Sequence, residues 1–196
     1  SLADTTPPVT AIGLDGLQGS NGWWRSHVTA TLTTQDEPGG SGVALTEYSL
    51  DDGVTWLPYD GPFTIAAEGV TDVLFRSHDI ARNVEEARSQ AALIDSIPPA
   101  ITASQTPTAN AAGWNNTDVS VEFTCADDEG AGVHSCGPTP QIVSEEGAGL
   151  SRSGIAEDLA GNTTELVVSG INIDRTPPAI AGSRTPPAHA LGWNNA

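Results

Sequence analysis

Apolar and polar residues alternate one by one over short stretches of this chain, a pattern that predicts β-strands. In residues 28–33 the apolar Val28, Ala30 and Leu32 alternate with threonines, and residues 119–123 show the same period of two. Residues 47–50 and 54–57 flank an Asp-Asp-Gly sequence that is typical of a hairpin turn. No apolar run approaches the roughly 20 residues that cross a bilayer as a helix. The chain is predicted to be all-β, without membrane insertion.

The chain also repeats itself. The sequence of residues 4–8, Asp-Thr-Thr-Pro-Pro, recurs in similar form at 95–99 and 174–178, and a Gly-Trp pair follows at the same distance each time. Residues 27–36 align on 118–127 without a gap, and residues 79–83 align on 158–162. Three units are predicted: repeat 1 at 1–95, a shorter repeat 2 at 96–174, and the first strand of a truncated third repeat at 175–196. Repeat 2 lacks a counterpart of residues 48–63.

The size and the strand rhythm of each repeat indicate a fold class. About seven short strands in roughly 80–90 residues are typical of an immunoglobulin-like β-sandwich. Repeat 1 also resembles bacterial Ig-like surface repeats of the OmpL47 type. The resemblance rests on the opening at 4–8, Gly22-Trp-Trp24, Ser41-Gly-Val43, residues 47–51, Trp56, residues 59–63 and the 79–83 segment. It implies a tandem array of Ig-like sandwiches outside the cytoplasm and implies no activity.

The net charge of the chain limits the classes of molecule that it can bind. The chain has 25 acidic residues, seven arginines and no lysine, with a formal net charge of −18. Such a chain repels phosphate backbones and anionic membrane surfaces, which excludes nucleic-acid binding as a working hypothesis. The acidity favours solubility, and calcium binding or a saline habitat would also account for it.

Two cysteines, Cys125 and Cys136, flank an acidic loop in repeat 2. In an exported chain such a pair is expected to form one disulfide. A zinc site built from both cysteines, His134 and Asp127 is the alternative, although the spacing matches no common zinc module.

An acidic cluster is expected where repeat 1 joins repeat 2. In a seven-strand sandwich, the loop after the second strand and the last hairpin turn meet at the pole where the chain enters. The predicted calcium ligands there are Asp95, Asp127, Asp128, Glu129, Asp158 and Asn162, whose oxygens suit calcium. The alternative is ordinary turn and capping chemistry, because acidic residues are common at solvated poles.

Aromatic residues in repeat 1 suggest a second kind of site. If Trp24, Trp56 and Tyr59 shared an exposed face, they could stack on sugar rings. The alternative is core and corner packing, because Gly-Trp recurs in all three repeats.

No catalytic arrangement is indicated. Ser77, His78 and Asp79 are adjacent on one predicted strand, so their side chains point to alternate faces and cannot form a relay. Prolines at the junctions fix extended geometry without a flexible linker. The predicted function is therefore a non-enzymatic, extracellular or cell-surface spacer. Its expected partners are neighbouring repeats and other copies in an assembly. Adhesion, carbohydrate binding by repeat 1, or an accessory role beside a secreted hydrolase are the alternatives.

Overall fold

The structure, a computed structural model, describes residues 3–128, 130–183 and 192. In repeat 1 the strands are β1 (Val9–Asp15), β2 (Val28–Gln35), β3 (Val43–Ser49), β4 (Leu57–Pro58), β5 (Phe63–Ile65), β6 (Gly69–Asp79) and β7 (Arg88–Ile94). In repeat 2 they are β8 (Ala100–Thr106), β9 (Val119–Ala126), β10 (Val133–Gly137), β11 (Gln141–Val143), β12 (Gly147–Asp158) and β13 (Thr163–Ile173). Among the described residues, no helix is long and apolar enough to span a bilayer.

The strands form two β-sandwiches in sequence, as predicted. In repeat 1 a three-stranded sheet, β1-β2-β5, faces a four-stranded sheet, β4-β3-β6-β7. In repeat 2 the sheets are β11-β9-β8 and β10-β12-β13. All pairings between these strands are antiparallel. The all-β fold class is therefore confirmed.

Each sandwich has its own core, made by the inward-facing residues of the alternating strands. The core of repeat 1 consists of Val28, Ala30, Ile65, Val73, Ala92 and Ile94, and that of repeat 2 consists of Val119, Val121, Phe123, Val143, Ile171 and Ile173. Burying one such branched or aromatic side chain contributes about 1.5–3 kcal/mol. The two repeats thus bury separate apolar clusters at equivalent places.

The middle of repeat 1 differs from the predicted hairpin. The second predicted strand, 54–57, is reduced to Leu57–Pro58, and the Val54 side chain is 84% exposed. The turn extends further than expected because the Asp51 carboxylate accepts a hydrogen bond from the Thr55 amide at 2.8 Å. Pro58 has no amide hydrogen to continue the ladder. In repeat 2, β4 has no counterpart, but β11 takes the position of β5 beside the second strand.

The predicted disulfide between Cys125 and Cys136 is confirmed, with the Cα atoms 5.8 Å apart. It joins β9 to β10, which belong to different sheets, and so holds the two sheets of repeat 2 together. The zinc alternative fails because both sulfurs are used in the disulfide.

Repeat 1 has hydroxyl groups where repeat 2 has the disulfide. Thr34 and Thr46 align with the two cysteines, and their Oγ1 atoms lie 2.9 Å apart. Ser77 Oγ lies 2.7 Å from Thr10 Oγ1, which donates to the buried Glu85 carboxylate at 2.6 Å. Hydrogen bonds between the sheets therefore take the place of a covalent link in repeat 1.

Residues 175–183 form no strand, contrary to the prediction of a first strand there. The physical reason lies in the pairing of the earlier first strands. β1 pairs with β2 and β8 with β9, each with the strand that follows it. Residues 175–183 have no such strand beside them among the described residues, and Ile180 is 97% exposed. Of the other residues predicted for this strand, all but residue 192 lie outside the described part of the chain.

Candidate functional site

The junction between the two repeats is built around Asp95. This residue is fully buried, although it follows β7 in a connection of only five residues to β8. Its amide donates to Trp24 O at 2.8 Å, within repeat 1. Its carboxylate accepts hydrogen bonds from the amides of Ile97 at 3.2 Å and Ala131 at 2.8 Å, and its carbonyl accepts one from Asn162 Nδ2 at 2.9 Å. Asp95 therefore bonds to both repeats at once.

A second contact joins the repeats beside Asp95. The repeat-1 corner (residues 19–25) meets the repeat-2 turn (residues 158–162). Three hydrogen bonds run from the corner to carbonyl groups of the turn: Ser20 N to Ala160 O at 2.8 Å, Asn21 Nδ2 to Leu159 O at 2.8 Å, and Arg25 Nη1 to Gly161 O at 3.1 Å. The sequence reasoning missed this contact.

The same aspartate chemistry occurs at the N-terminal pole of repeat 1. The Asp4 carboxylate accepts hydrogen bonds from the amides of Thr6 at 3.0 Å and Ser41 at 2.7 Å, and its carbonyl accepts one from Asn83 Nδ2 at 3.2 Å. The bond from Ser41 is the largest cause that lowers the pKa of Asp4 to about 2. Asp4 and Asp95 thus each tie the start of an Asp-x-x-Pro-Pro sequence to a loop and to the last turn of the sandwich that follows, as expected for turn and capping chemistry.

Carboxylates converge next to the junction. Asp95, Asp127 and Asp158 each place an oxygen within 4.8 Å of the others, and Asp158 is as buried as Asp95. Burial raises the pKa of Asp127, and the nearby charges of Asp95, Asp158 and Asp128 raise it further.

The other predicted calcium ligands are placed differently. The Asn162 amide group donates to Asp158 Oδ2 at 2.8 Å, so it orients a carboxylate of the cluster. Asp128 is exposed and outside the cluster, and Glu129 lies outside the described residues. The calcium prediction therefore keeps three of its six residues in one place and stays a prediction.

A similar group occurs at the N-terminal pole of repeat 1. Asp4, Asp36 and Glu37 place oxygens within 4.8 Å of one another. A hydrogen bond with Asp36 is the main cause that raises the pKa of Glu37. Acidic clusters thus recur at equivalent poles, but the one in repeat 1 is more exposed.

We expect the Asp127→Asn substitution to raise the melting temperature of repeat 2 at pH 7 in chelator by a few degrees. Because the pKa of Asp127 is raised in the folded state, that state holds its proton to a higher pH than the unfolded chain does. The contribution of Asp127 to stability therefore falls as pH rises from about 4, the ordinary pKa of an aspartate, through the raised pKa of the folded state. Asparagine keeps the oxygen that accepts the Gly132 amide and removes the charge. Calorimetry at pH 7 and below pH 4 measures the difference.

The same pair of proteins tests the calcium prediction. Added calcium should raise the melting temperature of the wild type and leave Asp127→Asn nearly unchanged, because the ion needs the charged oxygens. A wild type that does not respond to calcium would refute calcium binding. A lower melting temperature for Asp127→Asn in chelator would refute the proposed charge repulsion.

The three aromatic residues predicted to stack on sugars have separate environments. Trp24 packs against the core of repeat 1, and its amide donates to Leu93 O at 2.8 Å. Trp56 lies under the Arg76 guanidinium, which is 3.9 Å from the ring centroid. Tyr59 packs with its edge toward Phe63, with centroids 6.3 Å apart. Each ring is therefore held by a different part of the sandwich, and the shared sugar-binding platform stays a prediction.

The Ser-His-Asp sequence of β6 is divided between the two faces of its sheet. Ser77 and Asp79 are buried, and Ser77 bonds to Thr10. His78 points to the other face, where its Nε2 lies 3.1 Å from Glu47 Oε1. Asp79 accepts hydrogen bonds from Asn83 in the turn that follows. These residues serve the sandwich and its turn, and they do not contact one another as a relay.

Comparison with known proteins adds little beyond the fold. No family model matches the chain, and no curated protein matches it. Among solved structures the chain is similar to the fibronectin(III)-like modules of CbhA from Clostridium thermocellum. That match is 13% identical, covers 88% of this chain and 100% of that one, and has a TM-score of 0.37. At this level the likeness gives no argument about function, and the OmpL47-type resemblance stays a prediction.

Proposed function

We propose that this chain is a spacer segment of an extracellular or cell-surface protein, in which consecutive sandwiches are held end to end by direct contact. The observation that carries the proposal is the junction. Asp95 is fully buried between the repeats and bonds to both of them. A hinge would need solvated, weakly bonded residues at this position.

Other features support the same role. The connection between the repeats contains two consecutive prolines, Pro98 and Pro99, which restrict the backbone further. The disulfide of repeat 2 is of the kind that persists in oxidising compartments outside the cytoplasm. The net charge of −18 keeps such a chain soluble and discourages sticking between copies.

Small-angle X-ray scattering of the full chain tests the spacer proposal. Two modules of about 35–40 Å each should give an elongated particle that one rigid arrangement fits. Measurements with calcium and with chelator show whether the carboxylate cluster contributes to the stiffness. A bent, compact or flexible particle in both conditions would contradict the spacer proposal.

The remaining alternatives have weaker support. A carbohydrate-binding role for repeat 1 would need an aromatic platform, whereas Trp24, Trp56 and Tyr59 each pack against a different group. An accessory role beside a secreted hydrolase uses the same junction chemistry as the spacer. Adhesion requires a partner surface, which no particular feature of the described residues favours.

A further inference from the structure

Each of the two surfaces in the contact between the repeat-1 corner and the repeat-2 turn has an aligned counterpart in the other repeat. The repeat-2 corner (residues 110–116) aligns with residues 19–25, and the repeat-1 turn (residues 79–83) aligns with 158–162. Both counterparts have the same internal hydrogen bonds as the pair that is in contact. Asn110 N donates to Trp114 O as Gly19 N does to Trp23 O, and Asp79 N donates to Asn83 O as Asp158 N does to Asn162 O. The backbones of the matching surfaces are therefore built alike.

The side chains at the point of contact differ. Gly19 approaches the turn so closely that a Cβ atom there would lie under 3.0 Å from Ala160 O, which real Cβ atoms do not tolerate. At the aligned position of the repeat-2 corner stands Asn110. The donors Asn21 and Arg25, which bond to the turn, are replaced there by Ala112 and Asn116.

The turn shows the reciprocal change. Gly161 has φ of 91°, and a Cβ atom there would lie 3.1 Å from Ser20 Oγ of the corner. The aligned residue of the repeat-1 turn is Arg82, which adopts a positive φ of 75°. A non-glycine residue pays a conformational cost for that backbone, so the turn shape is kept in repeat 1 while the small side chain is not.

We propose that Gly19 and Gly161 decide which corner receives which turn. The partner that fits the repeat-1 corner is a turn with glycine at its fourth position, and the partner that fits the repeat-2 turn is a corner that begins with glycine. Asn110 and Arg82 exclude the same docking at the aligned positions of the other repeat. The choice of neighbour is thereby encoded in two positions, and a repeat-2 corner does not receive a repeat-1 turn through this contact. This inference rests on the rigid junction of the proposed spacer.

The test exchanges the residues that the chain already uses at the aligned positions. Gly19→Asn and Gly161→Arg should each break the contact while the modules stay folded, because Asn110 and Arg82 occupy the same backbone in the other repeat. Asn110→Gly and Arg82→Gly, at the aligned positions outside this contact, are the matched controls and should leave the junction unchanged. All four variants are made in the full chain.

Two measurements by NMR report the result. The Ser20 amide, which donates across the junction, should exchange with solvent about tenfold faster or more in Gly19→Asn and Gly161→Arg. The amide of residue 19, which bonds within the corner, should keep its protection and so show that the corner is folded. ¹⁵N relaxation should give one common tumbling time in the wild type and controls, and separate times for the two repeats in the junction variants.

The outcomes separate the two proposals. A wild type whose repeats tumble independently, with an unprotected Ser20 amide, would refute the rigid spacer. If the wild type is rigid and its junction stays intact in both Gly19→Asn and Gly161→Arg, the proposed selection by Gly19 and Gly161 is refuted. The spacer proposal is unaffected by that result. If Asn110→Gly or Arg82→Gly loosens the junction as much as Gly19→Asn or Gly161→Arg does, the proposed selection by Gly19 and Gly161 is also refuted.

Discussion

Asp95→Ala is expected to lower the free energy of unfolding of repeat 2 by about 3 kcal/mol and to loosen the junction. Hydrogen bonds to a charged group contribute about 1.5–3 kcal/mol each, and the substitution leaves the amides of Ile97 and Ala131 without their acceptor. Relief of repulsion with Asp127 and Asp158 offsets part of this loss. Because the two repeats have separate cores, urea unfolding followed by residue-resolved NMR assigns the loss to one of them.

Asp4→Ala is the matched control for this substitution. Asp4 has the same two kinds of backbone donor and the same carbonyl contact with an asparagine, but it is partly exposed. Its removal should weaken repeat 1 by less and leave the unfolding of repeat 2 unchanged. Equal losses from the two substitutions would show that the buried position of Asp95 has no special effect. The pKa of Asp127 should also fall in Asp95→Ala, because one of the charges that raise it is gone.

Replacing Cys125 and Cys136 together by threonine should destabilise repeat 2 by about 3 kcal/mol, as loop-closure entropy predicts for a short loop. Threonine is the informative choice because repeat 1 has Thr34 and Thr46 at these positions, with their hydroxyls in contact. In repeat 2 the residues aligned with the further hydroxyl groups of the cluster are apolar, so a threonine pair there would lack the partners that it has in repeat 1.

Thermal unfolding of the double variant, with and without reductant, measures this effect. Reductant should lower the melting temperature of wild-type repeat 2 and have no effect on repeat 1 or on the double threonine variant. The reciprocal pair, Thr34→Cys with Thr46→Cys, should form a disulfide in repeat 1, because the two Oγ1 atoms are already in contact between the sheets. Unchanged stability of repeat 2 after loss of its cysteines would contradict the covalent role.

Much of the fold could be predicted from the sequence because strand alternation and turn residues are local signals. The alternation at Val28, Ala30 and Leu32 led directly to strand β2 and to its inward face. The recurrence of Asp at 4, 95 and 174 indicates the module boundaries, but the sequence leaves open whether these residues bind an ion or cap turns. The structure shows that Asp4 and Asp95 mainly accept backbone hydrogen bonds, and the partner amides are up to 37 residues away in sequence.

The junction contact could not be predicted in the same way. Asn21 and Leu159, which it joins, are 138 residues apart in sequence. Nothing local distinguishes Gly19 or Gly161 from the many other glycines of the chain. A comparison of the aligned repeats would have shown that glycine becomes Asn110 at one position and Arg82 at the other. The effect of that difference depends on which carbonyl groups of the turn face the corner. Only the three-dimensional structure shows which groups these are.

The two ways of joining the sheets imply different timing during biosynthesis. Repeat 1 closes its sandwich with hydroxyl hydrogen bonds and needs no oxidant, so it can reach its native fold as soon as its strands have emerged. Repeat 2 gains its full stability only after Cys125 and Cys136 have been oxidised. If the chain is secreted N-terminus first, repeat 1 would therefore be folded before the cysteines of repeat 2 are oxidised.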